Sequence, residues 1–163
     1  MGGEDSEVHR LVSALDYPMF IVTVAAAGER AGCLVGFTTQ CSIDPPRFLV
    51  CLSDKNRTFR IARDAQTMVV HLVPGEATEL ADLFGGETGD DVDKFTRASW
   101  HSGPGETPVL DECENWFAAR IVDRIPAGDH CAYLLEPTEA HGEEDQTPFN
   151  FHRAQRIEPG HEA

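Results

Sequence analysis

The chain has 163 residues, 41% of them hydrophobic, and its 28 acidic against 13 basic residues give a net charge of −15. That length suits one domain, and no stretch approaches the ~20 unbroken apolar residues that span a bilayer. So acidic a chain is repelled by nucleic-acid phosphates and by anionic lipid, which excludes both as expected partners.

Residues 1–10 open on a polar run without apolar anchors and are expected to fray. Leu11, Ala14 and Leu15 then give a short helical spacing that stops before Pro18. Phe20 to Ala26 is rich in β-branched residues, and Ala27-Gly28-Glu29-Arg30 supplies the turn into a second apolar run, Gly32 to Gln40. The pair reads as a hairpin. Asp44-Pro45-Pro46 forces a turn, because each proline removes a donor and restricts the residue before it, and Arg47 to Leu52 follows as a buried strand.

Asn56 or Thr58 caps a short predicted helix through Ala65, and Thr67 to Val73 returns as a strand. Thr78 to Phe84 reads as a helix stopped by Gly85-Gly86, and Asp91 to Ala98 as a second short helix. Ser102 to Pro108 is a Gly/Pro loop. Trp116 to Ile125, a turn at Ala127-Gly128, and Cys131 to Glu136 make another hairpin. An acidic loop at Gly142 to Thr147 precedes a last strand at Phe149 to Phe151. Strands joined by hairpins outnumber helices, so the pattern predicts a mainly β, antiparallel barrel or sandwich with a few short flanking helices, in a single domain over 1–163.

Cys33, Cys41, Cys51, Cys113 and Cys131 form no C-x-x-C pair, and no signal-like apolar run follows the acidic start. Reduced thiols in a cytoplasmic protein are the simplest reading, most of them acting as small buried hydrophobes. Close ligand pairs of the kind zinc requires are missing, so no metal is assigned.

The positive charges Arg47, Lys55, Arg57, Arg60 and Arg63 share one acid-poor stretch. Within it, Ser53 to Thr58 gathers hydroxyls, the Lys55 and Arg57 charges and backbone amides at a predicted helix start, an arrangement suited to a phosphate. The competing reading is an ordinary capped helix with solvated charges.

The run Gly32-Cys33-Leu34-Val35-Gly36-Phe37-Thr38-Thr39-Gln40-Cys41-Ser42-Ile43-Asp44-Pro45-Pro46, followed by a strand and Ser53-Asp54-Lys55-Asn56-Arg57-Thr58, resembles the core signature of the flavin reductase family. Gly128-Asp129-His130 and Phe151-His152-Arg153 resemble its later landmarks, in the same order, so the resemblance spans Tyr17 to Arg156. It implies a split β-barrel, a homodimer, and FMN as cofactor with FAD as the alternative. It also implies NADH or NADPH as transient reductant, and in some members a partner monooxygenase that receives the reduced flavin.

By that resemblance Ser53, Lys55, Asn56, Arg57 and Thr58 hold the phosphate, and Leu34, Val35, Gly36 and Phe37 lie along the flavin ring. These four replace the Thr, Asn and Ser side chains that members often carry there. Ring partners would then come from the backbone, with Gly36 permitting close approach. Gln40, Cys41 and Ser42 continue toward the ring, with Cys41 read as packing for want of a local cation or base. His130 matches the histidine beside the nicotinamide or flavin and is the catalytic candidate. Asp129 is not expected to partner it, since neighbouring strand residues face apart. Phe95 and Trp100 resemble the segment that covers the site, and His152 and Arg153, in the expected last strand, would reach the pocket.

Neither G-x-G-x-x-G nor G-x-x-x-x-G-K-[ST] occurs, so a nicotinamide would bind over the flavin rather than in a Rossmann crevice. A G-x-S-x-G serine is also missing, which removes a hydrolase of that type. The remaining alternatives are a flavin- or haem-binding split barrel without turnover and a deazaflavin-dependent reductase.

Overall fold

Two tight turns seed the sheet. Ala27 and Gly28 both take positive φ (53° and 79°), the type I′ geometry whose twist matches that of a hairpin, and join β1 (Phe20–Ala26) to β2 (Glu29–Val35). Gly128, at φ 75°, opens the turn between β8 (Trp116–Ala127) and β9 (His130–His141), two strands of 12 residues each. The computed structural model describes residues 6–143 and 145–158. With β3 (Thr38–Ser42), β4 (Arg47–Ser53) and β5 (Thr67–Leu72), these strands form one antiparallel seven-stranded sheet in the order β2-β1-β5-β8-β9-β4-β3.

The apolar run predicted as one strand from Gly32 to Gln40 is therefore two. β2 and β3 lie on opposite edges of the sheet, and the chain crosses between them at Gly36-Phe37, where the Phe37 carbonyl accepts from Cys51 N at 2.9 Å. This crossing closes the sheet into the split barrel. Alternation then sorts the side chains. Val22, Val24, Cys33, Val35, Val50, Leu52, Met68, Val70, Tyr133 and Leu135 fill the interior, together with Ile61 and Ala62 of α2 (Arg57–Ala62).

The opposite faces of β1 and β5 are also covered. Ile21 packs with Leu80, Leu83 and Phe84 of α3 (Thr78–Gly86), and Val69 packs with Val109 of β7 (Pro108–Leu110), which pairs with β6 (Trp100–Ser102). Burial on both faces explains why these strands read as continuous apolar runs. The buried Thr23 hydroxyl donates to Pro108 O at 2.6 Å, pinning β7 to β1.

Four local expectations are corrected. Glu7–Ser13 is a helix, α1, capped by Ser6 and with no buried residue; the rest of the segment expected to fray, residues 1–5, lies outside the described residues. α3 does end at Gly85-Gly86, but both glycines are its last helical residues and neither takes the left-handed conformation; they are needed for packing, since a Cβ at Gly85 would stand 2.8 Å from Leu34 and one at Gly86 3.2 Å from Ile157. The helix expected over Asp91 to Ala98 shrinks to a 3-10 turn at Lys94–Thr96. The last expected strand survives only as isolated bridges, Pro18 with Asn150 and Pro74 with Pro148, and Phe151–Ala154 is a short helix, α4. No helix among the described residues is long and apolar enough to cross a membrane.

Candidate functional site

Three short elements meet beside the β1–β2 hairpin. The hairpin contributes Gly28 to Gly32, the start of α2 contributes Asn56, Arg57 and Thr58, and a loop with its 3-10 turn contributes Gly89 and Val92 to Phe95. Between them lies a cleft of about 270 Å³. Each wall is set by a local cap. Asn56 Oδ1 accepts from Thr58 N at 2.8 Å to begin α2, and Asp93 Oδ1 accepts from Phe95 N at 3.1 Å to begin the 3-10 turn. Gly89 has no Cβ for a reason: one would stand 2.7 Å from Arg57 Cδ, so the glycine lets Arg57 lie across the loop.

The charges lining the cleft are Arg30, Arg57 and Lys94 with Glu29 and Asp93, so cations gather here on a strongly acidic chain. The Arg57 guanidinium pairs with Glu29 at 3.4 Å and with Asp90 at 3.9 Å. Lys94 is buried, and its Nζ donates to Gly32 O and Phe84 O, both at 3.0 Å. An ammonium has three donors, and these carbonyls take two. Burial pulls the Lys94 pKa down from its ordinary value, opposed by the neighbouring Cys33 and Glu87; burial likewise pushes the Cys33 thiol up.

Thr58 is 1% exposed, and its hydroxyl makes no well-directed hydrogen bond among the described residues, with the buried Cys33 thiol beside it. A thiol is a weak hydrogen-bond partner, so the Thr58 hydroxyl keeps most of its hydrogen-bonding capacity and is a candidate contact for a polar ligand. The backbone amides expected to serve that ligand are largely committed. Asn56 N donates to Ser53 O, Lys55 N to Ser53 Oγ at 3.4 Å, and Thr58 N to the Asn56 cap.

A second group gathers at the β4–β9 ladder. Ser53 lies opposite His130, the His130 ring sits 5.1 Å from that of Phe37, and half-exposed Phe37 borders solvent. Contrary to expectation, Asp129 does partner His130: its Oδ1 lies 2.7 Å from Nδ1, and the histidine holds the Asp129 carboxyl below the usual carboxylate range. Facing apart applies to strand neighbours, and Asp129 belongs to the turn. One turn joins the two groups, since Ser53 O accepts the Asn56 amide.

The other candidates scatter around these groups. Leu34 borders a small recess of about 30 Å³ behind the cleft, with Cys33, Asn56 and Lys94. Val35 is in the barrel core. Gly36 faces its own protein, where a Cβ would stand 2.7 Å from Tyr17 and 2.9 Å from Met19, so close approach there serves packing. Gln40, Cys41 and Ser42 line a separate hollow with Ile43 and Asp44. Phe95 lines the cleft, and Trp100 lies in the next hollow along the hairpin. His152 and Arg153 are on α4, where His152 N donates to Asp16 and Arg153 donates to Gly75 O and Thr78 Oγ1.

Residues 12–158 match the flavin reductase like domain. The chain belongs to the flavin reductase family. This flavin reductase family member is 31% identical over 123 residues to the FMN reductase (NADH) RutF of Stutzerimonas stutzeri, covering 74% of the chain and 67% of that protein. It is 30% identical over 113 residues to the stachydrine N-demethylase reductase subunit of Rhizobium meliloti, over 67% of the chain but 48% of that protein. Thus it spans half or less of the length of the first curated relatives it matches. The flavin reductase domain protein of Arthrobacter sp. FB24 superposes with a TM-score of 0.80 at 23% identity, over 88% of each chain.

A flavin nucleotide's phosphate suits what the family member presents along the cleft: a weakly engaged hydroxyl at Thr58, a buried ammonium at Lys94 and a guanidinium at Arg57. Sequence reading passed over Lys94 and Arg30. In Asp93-Lys94-Phe95 nothing local marks a lysine as buried, because only the carbonyls of Gly32 and Phe84, distant in the chain, make burial tolerable.

Proposed function

We propose that this chain is an NAD(P)H:flavin oxidoreductase. Its minimal cofactor is FMN, the whole of which FAD contains, with the phosphate end in the cleft at Thr58 and the ring toward Phe37 and His130. The observation that carries the reading is the buried Thr58 hydroxyl, which makes no well-directed hydrogen bond and has the Cys33 thiol beside it, on a cleft wall shared with Lys94.

When bound, the flavin supplies the two-electron acceptor for the hydride of a dihydronicotinamide. The chain's residues bind and orient. Thr58 Oγ1 would donate to the phosphate, and Lys94 and Arg57 would balance its charge. Phe37 offers an apolar face beside His130. With Nδ1–H given to Asp129, His130 Nε2 accepts a hydrogen bond in the neutral ring and donates one only as the imidazolium. No proton transfer is asked of it, and its role is to fix the geometry of the reacting partners.

Service to a separate oxygenase is supported by the naming of one relative as a demethylase's reductase subunit. The chain works as a homodimer. All five thiols are unpaired, which suits the reducing cytoplasm. The test is anaerobic mixing of purified protein with FMN or FAD and NADH or NADPH. Flavin absorbance should bleach far faster than in the protein-free mixture, and equal rates would overturn the assignment.

A further inference from the structure

The hairpin that walls the phosphate cleft has a second hollow against it. It measures about 250 Å³ and is lined by Ala25 to Arg30 together with Trp100, Ser102, Gly105 and Glu106. Gly28, Glu29 and Arg30 border both hollows, so the two meet along one edge of the hairpin. At that edge the Arg30 guanidinium carbon lies 4.7 Å from the Trp100 ring centroid and 5.8 Å from that of Phe95. The indole is fixed in turn, since Trp100 Nε1 donates to Phe95 O at 2.9 Å and the two rings pack edge to face at 5.7 Å.

Arg30 is exposed, yet no ion-pair or side-chain hydrogen-bond partner engages it among the described residues. That is unusual where acidic residues outnumber basic ones 28 to 13, because carboxylates are never far away. A guanidinium centred 4.7 Å over an indole, with no carboxylate engaging it, keeps its N–H donors for a ligand. Planar cations of this kind stack on bases and bind phosphate bidentately. Ser102 and Glu106 add a hydroxyl and a carboxylate to the same hollow, groups suited to ribose hydroxyls or an exocyclic amine.

We propose that this hollow is a subsite for an adenosine 5′-phosphate group, with the phosphate on Arg30 and the base against the Arg30–Trp100 pair. The inference rests on the reading of the neighbouring cleft as the flavin phosphate site. The group reaches the hollow as the adenylate half of FAD or as that of the nicotinamide dinucleotide.

The test titrates the full chain and the variants Arg30→Ala and Trp100→Phe with FMN, FAD and AMP, following flavin and tryptophan fluorescence. If FAD is the source, FAD binds the native chain at least tenfold more tightly than FMN, and Arg30→Ala brings that ratio close to one. If the dinucleotide is the source, FMN and FAD bind alike, and Arg30→Ala raises the KM for NADH about tenfold more than that for reduced nicotinamide mononucleotide. Either result supports the subsite. AMP should quench tryptophan fluorescence in the native chain and not in Trp100→Phe, even if neither flavin binds, so loss of the cleft reading is seen separately. No quenching by AMP, with FAD-to-FMN and NADH-to-mononucleotide ratios untouched by Arg30→Ala, would overturn it.

Discussion

Thr58 and His71 are both buried polar residues in contact with the barrel wall, and they use burial in opposite ways. Thr58 is left with a buried hydroxyl that makes no well-directed hydrogen bond and has only the weakly bonding Cys33 thiol recorded beside it, so replacing it by valine removes a penalty in the ligand-free protein and a donor in the complex. Thr58→Val should raise the urea midpoint, by about 1 kcal/mol of stability, while weakening flavin binding about tenfold or more. A loss of stability together with native affinity would show the hydroxyl to be structural. His71, by contrast, is fully satisfied. Leu110 N donates to Nε2 at 3.0 Å, so Nδ1 carries the proton and donates to Ile21 O at 2.9 Å. Burial lowers its pKa from 6.5 to about 4. Between those values the unfolded chain takes up a proton that the folded chain refuses, so the contribution is complete above pH 6.5 and declines as pH falls through that window. Urea unfolding should lose about 2 kcal/mol from this group between pH 8 and pH 5, and His71→Gln should flatten that slope.

At the scale of elements, the crossing at Gly36-Phe37 decides whether the barrel closes, and it is tightly packed. Tyr17 cannot swing away from a new Cβ at Gly36 without losing its stack on Phe151, whose ring centroid is 4.6 Å away at an interplanar angle of 13°. Gly36→Ala should therefore cost about 1–3 kcal/mol by urea denaturation, with the far-UV spectrum kept. An unchanged midpoint would mean that the crossing yields freely. The same crossing shows where sequence reading stops. Apolar residues run on from Gly32 to Phe37, and periodicity cannot reveal that one run serves two sheet edges. The two hairpins were legible because Gly28 and Gly128 mark their turns, and Asn56 was legible because an Asx cap is a local event. β6 and β7 were not, since three-residue strands flanking a Gly/Pro loop carry no period, and their pairing depends on docking over β1 and β5. The candidate site divides the same way. Asn56, Arg57 and Thr58 declared themselves within one turn, while Lys94 and Arg30 acquire meaning only from partners far along the chain.

For the whole molecule, the question is how a chain of net charge −15 sustains the proposed homodimer. Val8, Leu11 and Val12 on α1 and Leu15 just past its end recur at helical spacing, are 47–72% exposed, and make an apolar stripe that nothing in the chain covers among the described residues. The helix is nevertheless anchored: Gln155 Nε2 donates to Ser13 O at 3.3 Å, and Asp16 accepts from Asn150 and from the His152 amide. An anchored helix with its apolar stripe outward is suited to pair with its own copy, since an isologous contact sets the same stripe against itself. Such a contact gains from apolar burial and is opposed by the mutual repulsion of two acidic chains. Salt screens the repulsion, with a Debye length of about 30 Å at 0.01 M and 3 Å at 1 M, and leaves the apolar term in place. Light scattering should therefore show the dimer fraction rising from low to high salt, the reverse of an interface held by ion pairs, and Leu11→Glu should remain at the mass of one chain throughout. A native chain that is monomeric at every salt concentration, or a Leu11→Glu variant that still doubles in mass, would remove α1 as the seam.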